Sequence, residues 1–108
     1  MKHDLEILAK LADTIASRAG TSPEVSYTSK LLAAGTEKCA KKFGEEAVEL
    51  ALASVIGDHS HKVNEAADAF YHLLVLLQST GVTLSEVMAV LAAREGTSGL
   101  DEKASRRG

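Results

Sequence analysis

Five acidic residues in this sequence fall at spacings that allow them to act together: Glu45, Glu46, Glu49, Glu65 and Asp68. Residues three or four apart on a helix share a face. Glu46 and Glu49, and Glu45 and Glu49, therefore project into one sector, and Glu65 and Asp68 do the same further along. On an open surface such like-charge spacing costs only a few tenths of a kcal/mol, so one reading is a solvated acidic face. In a cleft between two helices the balance changes. Two carboxylates about 5 Å apart repel by roughly 3 kcal/mol at an effective dielectric near 20. Five together would need cations or protons, and hard oxygen donors favour Mg²⁺ or Mn²⁺. The second reading is a divalent-metal site.

Lysines border this acidic set. Lys38, Lys41 and Lys42 immediately precede the glutamates, and Lys30 lies one element earlier. A cationic stretch running into a carboxylate cluster suits a polyphosphate, with lysines on phosphate oxygens and a metal between carboxylates and anhydride. Pairing along a helix surface, Lys41 with Glu45 for example, accounts for the same residues at under about half a kcal/mol per pair. No glycine-rich phosphate loop, Ser–His–acid arrangement or Glu-x-x-His pair occurs. Phosphate recognition therefore falls to lysines, helix N-termini and metal. His72 follows Asp68 by one helical turn. It reads as a satisfied histidine at a core or dimer edge, with a hydrogen bond to a ligand carboxylate as the alternative. His59 and His61 read as an exposed polar turn, and His3 as incidental. Cys39 reads as a small buried hydrophobe. Tyr71 reads as a core ring with its hydroxyl at the edge, or as a contact to a partner chain.

The elements that must position these groups are helices. Apolar residues recur at helical spacing from His3 to Arg18 (Leu5, Leu8, Leu11, Ala12, Ile15), with Gly20 as the stop. A short helix is expected from Tyr27 to Ala34, N-capped by Ser26. A third runs from Glu37 to Ile56, with Thr36 as its cap and Ala40, Phe43, Ala47, Leu50, Ala51 and Ser54 inward. Gly44 within it points to close approach of a backbone or ligand. A fourth, from His59 to Ser79, has a wide apolar surface (Val63, Ala66, Ala67, Phe70, Leu73, Leu74, Leu77), as a central helix does. A fifth opens at Thr83 or Ser85 and runs to Arg94, with Leu84, Val87, Met88 and Leu91 inward. The short connection at Gly57 and Asp58 makes the third and fourth helices an antiparallel hairpin, which brings the two acidic patches face to face.

The composition agrees. The 108 residues are 45% hydrophobic and 25% charged, with one Pro, no Trp and 4% aromatics. Ala and Leu, strong helix formers, carry the apolar content. The expectation is one all-α domain over residues 1–95, a four-to-five-helix bundle whose core is completed by dimerisation, and a disordered tail over residues 96–108. A net charge of -3 supplies no basic field for nucleic acid. The acidic residues near the N-terminus exclude a signal peptide, no run reaches a membrane span, and the lone Cys39 fits a reducing compartment. The expected location is the cytoplasm.

Three stretches carry a resemblance: SYTSKLLAAG from Ser26 to Gly35, KKFGEEAVELALA from Lys41 to Ala53, and EAADAFYHLLVLL from Glu65 to Leu77. Together with LSEVMAVLAAR from Leu84 to Arg94 they resemble the phosphoribosyl-ATP pyrophosphohydrolases of histidine biosynthesis. Glu-Glu-x-x-Glu followed by Glu-x-x-Asp is common to the wider MazG-like all-α pyrophosphohydrolases. The SYT and YHLLVLL stretches narrow the likeness to the histidine branch. The resemblance implies a Mg²⁺-dependent homodimer that converts phosphoribosyl-ATP to phosphoribosyl-AMP and pyrophosphate. It implies Glu46, Glu49, Glu65 and Asp68 as metal ligands, and Glu45 as a further ligand or the base that orients water. It implies Tyr27, Thr28, Lys30, Lys38, Lys41 and Lys42 near phosphate or nucleotide. It also implies a freestanding form without a fused cyclohydrolase domain. Cys39 departs from the aliphatic residue expected there. Two other functions compete: a MazG-like pyrophosphohydrolase of (deoxy)nucleoside triphosphates, and a non-enzymatic helical dimerisation module with a merely solvated acidic face.

Overall fold

Side-chain caps mark where most of the helices begin. Ser26 Oγ accepts from the Ser29 N–H at 3.0 Å. Asp58 accepts from the His61 N–H at 2.8 Å. Thr83 and Glu86 form a reciprocal capping box. Each satisfies an N–H group that the first turn leaves without a partner. In the computed structural model, which describes residues 2–96, these caps help bound five helices: α1 (Lys2–Arg18), α2 (Tyr27–Ala34), α3 (Thr36–Ile56), α4 (His59–Thr80) and α5 (Leu84–Arg94). Among the described residues there is no strand, in keeping with the all-α expectation. Of the tail expected to be disordered over residues 96–108, residues 97–108 lie outside the described residues.

One expected cap is absent. Thr36 is the first residue of α3, whose N-cap is Gly35 with no side-chain cap. The Thr36 hydroxyl instead donates to the Ser79 carbonyl at 3.2 Å. That bond joins the start of α3 to the end of α4, so the two helices form the expected antiparallel hairpin through Gly57 and Asp58. Gly57 is required at this turn, because a Cβ there would sit 2.8 Å from the Ala53 carbonyl oxygen.

The core draws Ile15 from α1, Leu31 from α2, Cys39 from α3, and Leu74 and Val75 from α4. Helix α4 packs against α1, α2 and α3, as its wide apolar surface requires. Cys39 is buried as expected; its thiol donates to the Leu31 carbonyl at 3.3 Å, and burial holds its pKa above the ordinary thiol value. A string of hydroxyls fastens α1 to α2: the Thr21 hydroxyl donates to the Arg18 carbonyl and lies 2.7 Å from that of the buried Ser29.

Several apolar positions expected to face inward do not. Leu5 is exposed in α1, and Val63, Ala67 and Phe70 are exposed in α4. In α3 the fully buried positions are Cys39 and Ala53, whereas Ala40, Ala51 and Ser54 are exposed. Helix α5 turns away from α4 by 109° and has no buried residue. Leu84 packs on the core and Val87 is half-buried, but Met88 and Leu91 are exposed. Helical periodicity marks a face as apolar without saying which surface covers it. Gly44 likewise meets no close neighbour: a Cβ there would touch nothing within 4 Å. No single helix among the described residues is long and apolar enough to cross a membrane.

Candidate metal and phosphate site

The α3–α4 hairpin brings together carboxylates that the chain holds apart. One oxygen or the other from each of Glu46, Glu49 and Glu65 lies within 4.8 Å of the others. Asp68 is outside this trio but close enough to act on it. Burial, and then the charges of Glu49, Asp68 and Glu65, hold the Glu46 carboxyl above its ordinary pKa. The neighbouring carboxylates therefore oppose ionisation of Glu46, which a cation in the cleft would relieve. Glu65 carries a second sign. Its side chain is 15% exposed, and its Oε2 is buried with no hydrogen-bond partner. Leaving such an acceptor unpaired is costly. A hard divalent cation with oxygen ligands fits both the donor set and the orphaned oxygen.

Glu45 points elsewhere. It pairs with Lys42 at 3.5 Å, whereas the helical spacing in the sequence suggested Lys41 as its partner. The proximity of Tyr27 and Glu45 holds the Lys42 ammonium above its ordinary pKa. Lys42 also lines a cavity of about 220 Å³ with Tyr27, Lys30, Leu31, Ala34 and Lys38. Three of the four lysines singled out from sequence thus surround one opening between α2 and α3. Lys41 is exposed and outside that lining. Thr28, expected near substrate, shares a hydrogen bond between its hydroxyl and that of Tyr71.

His72 differs from its expected role. It is 6% exposed, yet its Nδ1 has no hydrogen-bond partner. Burial, and then the Lys42 charge, push its pKa below the ordinary histidine value, so it is neutral at pH 7. His61, read from sequence as an exposed turn, lies 3.3 Å from Glu65 and helps line a second cavity with Glu49, Leu52, Ala53, Ile56 and Glu65. The signal was present: His61 precedes Glu65 by one helical turn.

The sequence model of the family described as phosphoribosyl-ATP pyrophosphohydrolase matches residues 8–95. The chain is 58% identical to a phosphoribosyl-ATP pyrophosphatase of Cereibacter sphaeroides, over 94% of this chain and 99% of the relative. It is 58% identical to one of Paracoccus denitrificans, over 93% of each chain. It is 59% identical to one of Methylobacterium radiotolerans, over 93% of this chain and 94% of the relative. The matched span contains all five helices but for the first turns of α1, and with them the carboxylate trio and the lysine-lined cavity. The chain belongs to the phosphoribosyl-ATP pyrophosphohydrolase family.

Proposed function

We infer that this hydrolase converts phosphoribosyl-ATP to phosphoribosyl-AMP and pyrophosphate, the second step of histidine biosynthesis, with Mg²⁺ bound and Mn²⁺ able to replace it. Family membership supports the substrate. The observation that carries the chemistry is the carboxylate trio with an orphaned buried oxygen, set beside a lysine-lined cavity.

Glu46, Glu49 and Glu65, with Asp68 beside them, would hold the cation. Bound there, it would supply charge neutralisation on the triphosphate and on the leaving pyrophosphate. Lys30, Lys38 and Lys42 orient the phosphate oxygens. Lys42 is the link, since it lines the cavity and pairs with Glu45. Phosphate oxygens compete for that ammonium and free the Glu45 carboxylate. Glu45 then accepts a proton from the attacking water as the anhydride bond to pyrophosphate breaks.

The working form is a homodimer. Val48, Leu52, Val55, Ile56, Val63 and Phe70 are all exposed along the α3–α4 hairpin, and Met88, Val90 and Leu91 are exposed on α5. So large an apolar surface is unusual on a monomer. A panel of substrates tests the reading: phosphoribosyl-ATP is hydrolysed faster than any (deoxy)nucleoside triphosphate. The reverse order would favour the MazG-like alternative. No hydrolysis of either would leave a dimerisation module.

A further inference from the structure

Tyr27 is 53% exposed, yet its ring is backed on two sides. The Tyr71 ring lies nearly parallel to it, with centroids 6.4 Å apart and planes at 21°. His72 meets it edge-on at 6.2 Å and 86°. Tyr71 and His72 meet edge-on in turn, at 5.0 Å and 79°. The Thr28–Tyr71 hydroxyl bond fastens the first turn of α2 to α4, and so holds Tyr27 in register with the rings behind it. The cavity that Tyr27 lines has an apolar floor in Leu31 and Ala34 and a cationic rim in Lys30, Lys38 and Lys42. A supported aromatic ring beside an apolar floor and a rim of lysines suits a flat π-system that carries phosphates.

We propose that Tyr27 stacks on the purine base of the nucleotide substrate, that Tyr71 and His72 are positioning residues for that ring, and that Thr28 latches them instead of touching substrate. This assignment rests on the hydrolase function proposed above and names its base subsite. A base on Tyr27 sends its phosphates past Lys42 toward Glu45 and the carboxylate trio, because Lys42 borders both regions.

The chain contains no Trp, so Tyr27→Trp installs a single fluorescent reporter at the subsite. AMP should quench it in a saturable way, and inorganic tripolyphosphate, which has no base, should not. Tyr27→Ala should raise KM for phosphoribosyl-ATP roughly tenfold with little change in kcat, the usual scale of one lost base stack. Tyr27→Phe should retain the wild-type KM. His72→Phe, which keeps the ring edge, should bind AMP better than His72→Ala, and Tyr71→Phe and Thr28→Val should each raise KM by a smaller factor. Equal quenching by tripolyphosphate, or a wild-type KM in Tyr27→Ala, would overturn the stacking assignment and leave the hydrolase reading standing. A change of dimer mass in Tyr27→Ala with KM unchanged would overturn it too and make Tyr27 an interface residue. Wild-type protein inert toward phosphoribosyl-ATP would sink the hydrolase reading, and the quench titration would still decide the stacking.

Discussion

Replacing Glu46 with Gln removes one charge from the carboxylate trio and keeps the side-chain shape. The three oxygens lie within 4.8 Å of one another. At that separation one pair repels by about 3.5 kcal/mol at an effective dielectric of 20, and by about 0.9 kcal/mol in water. Glu49 is exposed and Glu46 only half-buried, so the water-like end applies, and relief of the two pairs that Glu46 makes is about 1–2 kcal/mol. In a chain of this size each kcal/mol of that relief should raise Tm by about 4–8 °C in the presence of a chelator. Mg²⁺ should reverse the ranking, since cation at a hundredfold excess over Kd stabilises the wild type by about 2.7 kcal/mol and the variant by much less. The pH dependence has a definite sign. The folded-state pKa of Glu46 is raised, so the folded state holds more protons than the unfolded one between the ordinary and the raised value. Metal-free wild type therefore gains stability as pH falls from neutral into that window and loses it as pH rises through the folded pKa, whereas Glu46→Gln lacks this gain. Thermal melts in chelator and in graded Mg²⁺, at pH 7 and near pH 5, measure all three effects. A variant that melts below wild type in chelator would show that the trio is not repulsive, and a wild type whose Tm ignores Mg²⁺ would show that it is not a cation site.

Four further substitutions probe other parts of the protein. Gly44→Ala should raise stability by about 0.4–1 kcal/mol, because the added methyl meets open space and glycine is costly within a helix; denaturant melts should show Gly57→Ala moving the opposite way, since its Cβ would meet the Ala53 carbonyl. Thr83→Ala should cost about 1 kcal/mol through loss of the capping box, and hydrogen exchange should place the loss in α5, with activity retained. Lys42→Met should raise KM for phosphoribosyl-ATP and flatten its dependence on salt, since Lys42 borders both the cavity and Glu45; steady-state kinetics at several ionic strengths would check this.

Much of this architecture was legible because it rests on local physics. Ser26 and Thr83 cap helices where their side chains and the following residues predict. The short Gly57–Asp58 turn forces the hairpin, and the hairpin brings Glu65 to Glu46 and Glu49. What sequence reading missed depends on relations between distant residues. Thr36 bonds to Ser79, and Thr28 to Tyr71, across long stretches of chain, so neither hydroxyl could be assigned from its neighbours. Met88 and Leu91 keep helical spacing yet stay exposed, because the direction of α5 is set at its turn and not by its own pattern. His72 looked satisfiable, and only the packing of Tyr27 and Tyr71 around it shows an imidazole nitrogen left without a partner.

The central claim is that the carboxylates of α3 and α4 act together in breaking a phosphoanhydride. Its most direct test is pyrophosphate release from phosphoribosyl-ATP by the purified chain, measured with Mg²⁺, with chelator, and for Glu49→Gln and Glu65→Gln. Release should be rapid with Mg²⁺ and absent with chelator, and each variant should lose a hundredfold or more, on the order of 3 kcal/mol of barrier. Release that persists in chelator, or variants that match wild type, would contradict it.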